Sequence, residues 1–151
     1  MIARLRRHEP ELRYLLAAGM VAIGVLHFVT PEPFMRIVPP SFGDARFLVL
    51  LSGVFEVLGG LGLVIPATRR FAAWGLVALF IAVFPANVYM ATEGIQIDPS
   101  RPMPEWGAWL RLPFQAVFIG WAVLIATTRP DGAPGDASAP ADSAESDGAN
   151  G

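Results

Sequence analysis

The chain has 151 residues, of which 54% are hydrophobic and 16% charged, where an ordinary soluble domain is about a quarter charged. A mean hydropathy of +0.49 with a net charge of -2 points to one membrane domain and excludes a nucleic-acid binder. With no cysteine, the chain excludes disulfide relays, thiolate nucleophiles, cysteine-ligated iron-sulfur clusters and covalently attached haem.

Residues 1–13 hold Arg4, Arg6, Arg7 and Arg13, a basic segment ahead of the first apolar run that reads as a topology signal. His8 lies in that segment and His27 at the far end of the run, too far apart to ligate one haem. The run predicts a first span over about residues 14–29. The following Thr30-Pro31-Glu32-Pro33 offers no small-x-small cleavage site, so the span is expected to stay on the chain. The first long connection, 30–46, mixes Phe34, Met35, Ile37 and Val38 with prolines and suits a segment lying in the membrane interface. A second span is predicted at 47–66, a tight turn with Arg69 and Arg70 follows, and a third span runs over 71–90. The connection 91–108 carries Trp106 in the aromatic-belt position. The fourth span is predicted at 109–128, with Pro113 near its start, where a missing donor is tolerated. Residues 129–151 are rich in Ala, Asp, Gly, Ser and Pro without a large apolar side chain, and are expected to form a disordered acidic tail.

Each run approaches the roughly 20 apolar residues that cross a bilayer, and the short turn makes spans two and three an antiparallel hairpin. The predicted fold is an all-α, integral membrane up-down-up-down four-helix bundle. Arginine bias puts both termini in the cytoplasm and the two long connections outside.

Ionisable groups inside such spans cost roughly 2.5–3.5 kcal/mol each even on insertion scales, so each needs a partner or a purpose. Glu56 lies near the centre of span two, with Ser52 one turn outward and Gly59 and Gly60 one turn inward, small residues that admit a neighbouring helix. Counting helical rise from each span's centre places His27, Asn87, Arg111 and Gln115 roughly 5–10 Å outward of the midplane. All four spans therefore contribute a polar residue to the outer half, and Arg111 and Gln115 share a face. This predicts a polar pocket open outward and floored by Glu56. Pro85 removes a backbone donor just before Asn87 and kinks span three. The bland alternative makes these residues interhelical hydrogen-bond glue, with Arg111 snorkelling to the interface. His27 and Glu56 alone are too few ligands for a structural zinc, so no metal site is expected.

Several motifs resemble the DoxX family of small four-helix membrane proteins. They are Gly24-Val-Leu-His27-Phe28, Pro33-Phe34 with Ile37-Val38-Pro39, Ser52-Gly53, Glu56-x-x-Gly59-Gly60-x-Gly62, Ile65-Pro66-x-Thr68-Arg69-Arg70, Phe84-Pro85-Ala86-Asn87 with Tyr89-Met90-Ala91, and Leu110-Arg111-Leu112-Pro113-x-Gln115. The resemblance covers about residues 12–127. It implies a protein of a bacterial-type cytoplasmic membrane that accompanies a redox system, such as a small membrane subunit of an oxidoreductase. The polar set it carries over is His27, Glu56, Asn87, Arg111 and Gln115, with Ser52, Pro85 and Tyr89 beside it. No thiol chemistry of that family transfers to a chain without cysteine.

Two functions fit this pattern, besides a membrane scaffold with a purely structural polar network. One is an accessory or binding subunit that holds a lipophilic molecule, a quinone being the candidate, with Glu56 and His27 exchanging a proton and Arg111, Asn87 and Gln115 orienting its head. A redox-enzyme partner or a homo-oligomer would then complete it, and catalysis by this chain alone is not expected. The other is a small proton-coupled transporter or oligomeric channel. The inner halves of spans two and three, 57–66 and 71–81, hold no charge and no amide, which favours binding over transport.

Overall fold

The computed structural model describes residues 8–128; the acidic tail and most of the basic N-terminus lie outside them. Five α-helices follow in order: α1 (Glu9–Val29), α2 (Glu32–Met35), α3 (Ala45–Val64), α4 (Arg69–Thr92) and α5 (Glu105–Thr127), with one 3-10 turn at Pro40–Phe42. Helices α1, α3, α4 and α5 are long and apolar enough to cross a membrane. Large apolar side chains such as Leu15, Phe55, Phe71 and Phe114 point outward along all four, the surface of a multi-pass membrane protein.

Local chemistry sets the helix ends. Asp44 caps α3, its Oδ1 accepting from the backbone N–H of Arg46 and Phe47 at 2.9 and 3.1 Å, a cap worth about 1 kcal/mol. Pro66 ends α3 by forcing Ile65 into extended backbone, two residues before the predicted end of that span. Thr68 Oγ1 then donates to the orphaned Gly62 carbonyl at 3.0 Å. Helix α4 ends where Gly94 takes φ +61° and Ile95 N–H reaches back to the Met90 carbonyl, a left-handed closure that favours glycine.

All four long helices start earlier than their apolar runs predict, α3 and α4 by two residues and α1 and α5 by a turn or more. Helix α1 begins at Glu9, with Pro10 in its first turn and Glu9 and Glu11 at its positive end, where proline and acids are stabilising. Helix α5 begins at Glu105, so Trp106 belongs to a helix and not to a connection. Pro113 is consequently interior to α5, and its missing N–H leaves the Trp109 carbonyl without its helical donor.

The bundle is up-down-up-down, with neighbours set by close backbone approach. Gly24 of α1 faces Gly53 and Glu56 of α3, and Gly60 of α3 faces Ala17, Met20 and Val21 of α1, so the pair is antiparallel. A Cβ on Gly60 would come within 2.8 Å of the Ala17 carbonyl oxygen. Gly59 and Gly62 instead meet Leu76 and Ala72 of α4. The two adjacent glycines expected to serve one helix thus admit two. Close packing of this kind holds helices together where the surrounding lipid removes the hydrophobic driving force.

We call the end bearing the Ile65–Thr68 turn proximal and the end bearing the two long connections distal. The main core is proximal: Leu16, Ala17 and Met20 of α1, Leu63 of α3, Ala73, Leu76 and Phe80 of α4, and Ala122, Ile125 and Ala126 of α5. A small distal core joins Met90, Ala91 and Ala108 to Ile37 and Ile95 of the connections. Between them, α4 buries no side chain from Ile81 to Tyr89. The candidate functional residues lie in this thinly packed layer.

Candidate functional site

The polar residues of the four long helices form two pairs. His27 projects from α1 toward α3, where its Nδ1 lies 3.2 Å from Glu56 Oε2. Both are buried, at 7% and 8% exposure. Nδ1 also lies 2.8 Å from the Ile23 carbonyl. A carbonyl oxygen only accepts, so Nδ1 carries the proton and donates it back into α1. Glu56 Oε2 consequently has no hydrogen-bond partner among the described residues. Phe34 of α2 stacks on the imidazole at 3.9 Å between ring centroids. A buried carboxyl oxygen without a partner is costly in either protonation state, and Glu56 Oε2 keeps an unused acceptor position.

The second pair joins α4 to α5. Asn87 Nδ2 donates to Gln115 Oε1 at 2.6 Å, and Gln115 Nε2 donates to the Phe80 carbonyl at 2.6 Å. Gln115 is 8% exposed, and its amide is held at both ends, which fixes Asn87 in turn. Arg111, one turn distal to Gln115 on the same face, is exposed. Among the described residues it has neither a carboxylate within ion-pair distance nor a hydrogen bond.

An open cavity of about 310 Å³, a surface groove more than an enclosed chamber, lies here, lined by Asn87, Arg111, Phe114, Gln115 and Phe118, of which Arg111 and Phe114 are exposed. Phe118 packs on Phe80 and stacks on Trp121, with centroids 6.0 and 6.2 Å apart, so this wall of the cavity is also packed against the proximal core. A further cavity of about 370 Å³ lies more distally, lined largely by the α4–α5 connection at residues 93–96, Met103 and Pro104, with Ala91, Ala108 and Trp109 of the flanking helix ends. Asn87 and Ala91 share one face of α4, and Ala108, Arg111 and Gln115 one face of α5, by their i, i+3 and i+4 spacing. The first cavity therefore lies on the α4–α5 seam, and the second at its distal end against the connection.

The single pocket expected from the sequence is thus divided. Neither Glu56 nor His27 lines the Arg111 cavity, whose walls come from α4 and α5 alone. Helical rise fixes how deep a residue sits but not its direction around the helix axis, and here direction pairs α1 with α3 and α4 with α5. Ser52 is half-buried and donates to Val49 of its own helix at 2.9 Å. Pro85 is exposed, Tyr89 half-buried.

Sequence reasoning missed the aromatic cover Phe34 as a partner of His27; its only signal was a phenylalanine between prolines in a connection. It also missed a buried contact at the proximal end. Arg69 Nη1 lies 3.7 Å from Glu9 Oε2, and Arg69 Nη2 donates to the Thr128 carbonyl at 2.8 Å. Glu9 and Arg69 are 3% and 7% exposed. This arginine, read from sequence only as a topology signal, ties the start of α1 to the end of α5.

Four long apolar helices around a few buried polar side chains define a small protein of the multi-pass membrane type. Residues 16–126 match the family described as Domain of unknown function (DUF8561), and the chain belongs to that family. No curated protein and no solved structure matches it.

Proposed function

We propose that the protein is a membrane accessory subunit that holds a lipophilic molecule in the α4–α5 seam, with the connections outside and both termini in the cytoplasm. The observation that carries this reading is the cavity of about 310 Å³ between Phe114 and Phe118, which presents Asn87, Arg111 and Gln115 inside helices of membrane-spanning character. Apolar walls with a few fixed polar groups are the usual composition of a small-molecule site. The DoxX-like motifs supply the context, a bacterial-type cytoplasmic membrane and a redox system, with a quinone as candidate ligand. Glu56 and His27 lie side by side in a separate place, on α3 and α1, where each is available to exchange a proton with a redox partner or with a ligand whose tail reaches across the bundle.

Native mass spectrometry of the protein released in mild detergent tests this reading beside Gln115→Leu and Glu56→Gln. A small lipophilic molecule retained by the wild type and lost from Gln115→Leu is the expected result. If wild type and variants all fly empty with equal thermal stability, the seam is not a binding site.

A further inference from the structure

We infer that the Arg111 cavity is selective for an amphiphile with an anionic, oxygen-rich head, a carboxylate or a phosphate. The inference rests on the seam being a binding site and goes further, to the chemical class of the ligand. Guanidinium has five N–H donors in a rigid fork, no acceptor, and a charge it keeps at every physiological pH. Arg111 is exposed near the distal end of α5, two residues inside the apolar run that begins at Trp109, with no carboxylate among the described residues to balance it. The one buried carboxyl of the neighbouring layer, Glu56, faces His27 across α1 and α3.

The remaining cavity groups complement this charge without neutralising it. Asn87 and Gln115 satisfy each other and the Phe80 carbonyl through one N–H each, which leaves an N–H on Asn87 to donate. A head made of acceptors alone meets donors from both Arg111 and Asn87, and a carboxylate or phosphate takes the guanidinium fork bidentately. A neutral carbonyl or hydroxyl head fills the same space and leaves the arginine without a counter-charge. Phe114 and Phe118 line the remainder of the cavity and suit an acyl or isoprenoid chain. Two sources share this chemistry: a phospholipid of the surrounding bilayer, through its phosphate, and a free carboxylate-headed chain.

The test uses full-length protein in an uncharged maltoside detergent, titrated with laurate, dodecyl phosphate and dodecanol, which share one tail and differ in head. Binding is followed by thermal shift. Laurate and dodecyl phosphate are expected to bind at least about tenfold more tightly than dodecanol. Arg111→Gln is expected to reduce both anions to the dodecanol level and leave dodecanol unchanged. Arg111→Lys, which keeps the charge and loses the fork, falls between, and it carries the test if Arg111→Gln does not fold. Native mass spectrometry of the cell-derived protein identifies the source, by a phospholipid mass or a fatty-acid mass lost in the arginine variants. Equal affinity for dodecanol and laurate in the wild type overturns the anionic assignment but leaves a lipophilic site. An anion preference that survives in folded Arg111→Gln overturns the role of Arg111. If none of the three binds to folded wild type, the seam reading fails as well.

Discussion

Replacing Gly53 by alanine tests whether the α1–α3 pair is held by backbone proximity. A Cβ at Gly53 would stand 2.8 Å from His27 Cβ, 3.0 Å from the Gly24 carbonyl oxygen and 3.1 Å from the Phe28 ring. The ring can swing aside, but the other two atoms are fixed to the α1 backbone. Going from 2.8 Å to the ordinary contact distance of 3.4 Å requires α1 to retreat by about 0.6 Å. Overpacking of this kind costs about 1–3 kcal/mol, opposed by a gain of up to about 1 kcal/mol from replacing a helical glycine. Gly75 of α4 is the internal control, since a Cβ there meets nothing within 4 Å and alanine brings only the gain. The stability difference between Gly53→Ala and Gly75→Ala therefore isolates the steric cost, at about 1–3 kcal/mol in favour of Gly75→Ala. Unfolding in mixed micelles followed by circular dichroism measures it. A difference within about 0.5 kcal/mol would show that the helices do not approach as described, and the geometry of the His27–Glu56 pair would fall with it.

Further expectations concern the buried polar groups. Glu56→Met removes a carboxyl whose Oε2 lacks a partner, so thermal unfolding should show a gain of about 1–3 kcal/mol; a loss would mean that Glu56 is already satisfied in the folded protein. Arg69→Ala leaves Glu9 buried without its partner and should destabilise by about 3 kcal/mol, with part recovered in Arg69→Met combined with Glu9→Leu; no recovery in the double variant would refute a compensated pair. Asn87→Ala breaks the 2.6 Å bond to Gln115 and should cost about 1 kcal/mol, the usual scale for hydrogen bonds between membrane helices. In the α4–α5 connection, hydrogen bonds from the Ser100 hydroxyl and backbone N–H hold Asp98 below its ordinary value of 3.8. A depressed carboxylate supports the folded turn above its unfolded pKa and loses that support as pH falls through the folded one. Titration by NMR should thus show the turn intact at neutral pH and loosening only in strong acid, with Ser100→Ala moving the Asp98 midpoint upward.

The four long helices were legible because uncharged runs of sixteen to twenty residues have few other uses. Their ends were not, because the helices continue beyond the apolar layer wherever capping chemistry allows: α1 through Pro10 to Glu9, α5 through Trp106 to Glu105. Counting along each helix set Asn87 and Gln115 in one outer layer, where they meet, but set His27 outward of Glu56, whereas the two side chains lie 3.2 Å apart. Which pairs meet depends on rotation about the helix axis, at 100° per residue, and on which glycines admit which neighbour. Gly59 and Gly60 are adjacent in sequence and serve different helices, a distinction no spacing announces. The contact between Glu9 and Arg69 joins residues sixty apart, each of which has an ordinary surface explanation in the sequence.

The gap in side-chain burial along α4 between Phe80 and Met90 has a consequence for how any occupant of the seam arrives. In a bilayer this stretch faces acyl chains, so an amphiphile enters sideways by lateral diffusion and never crosses water. Occupancy is then governed by the ligand's mole fraction in the leaflet and not by its aqueous solubility.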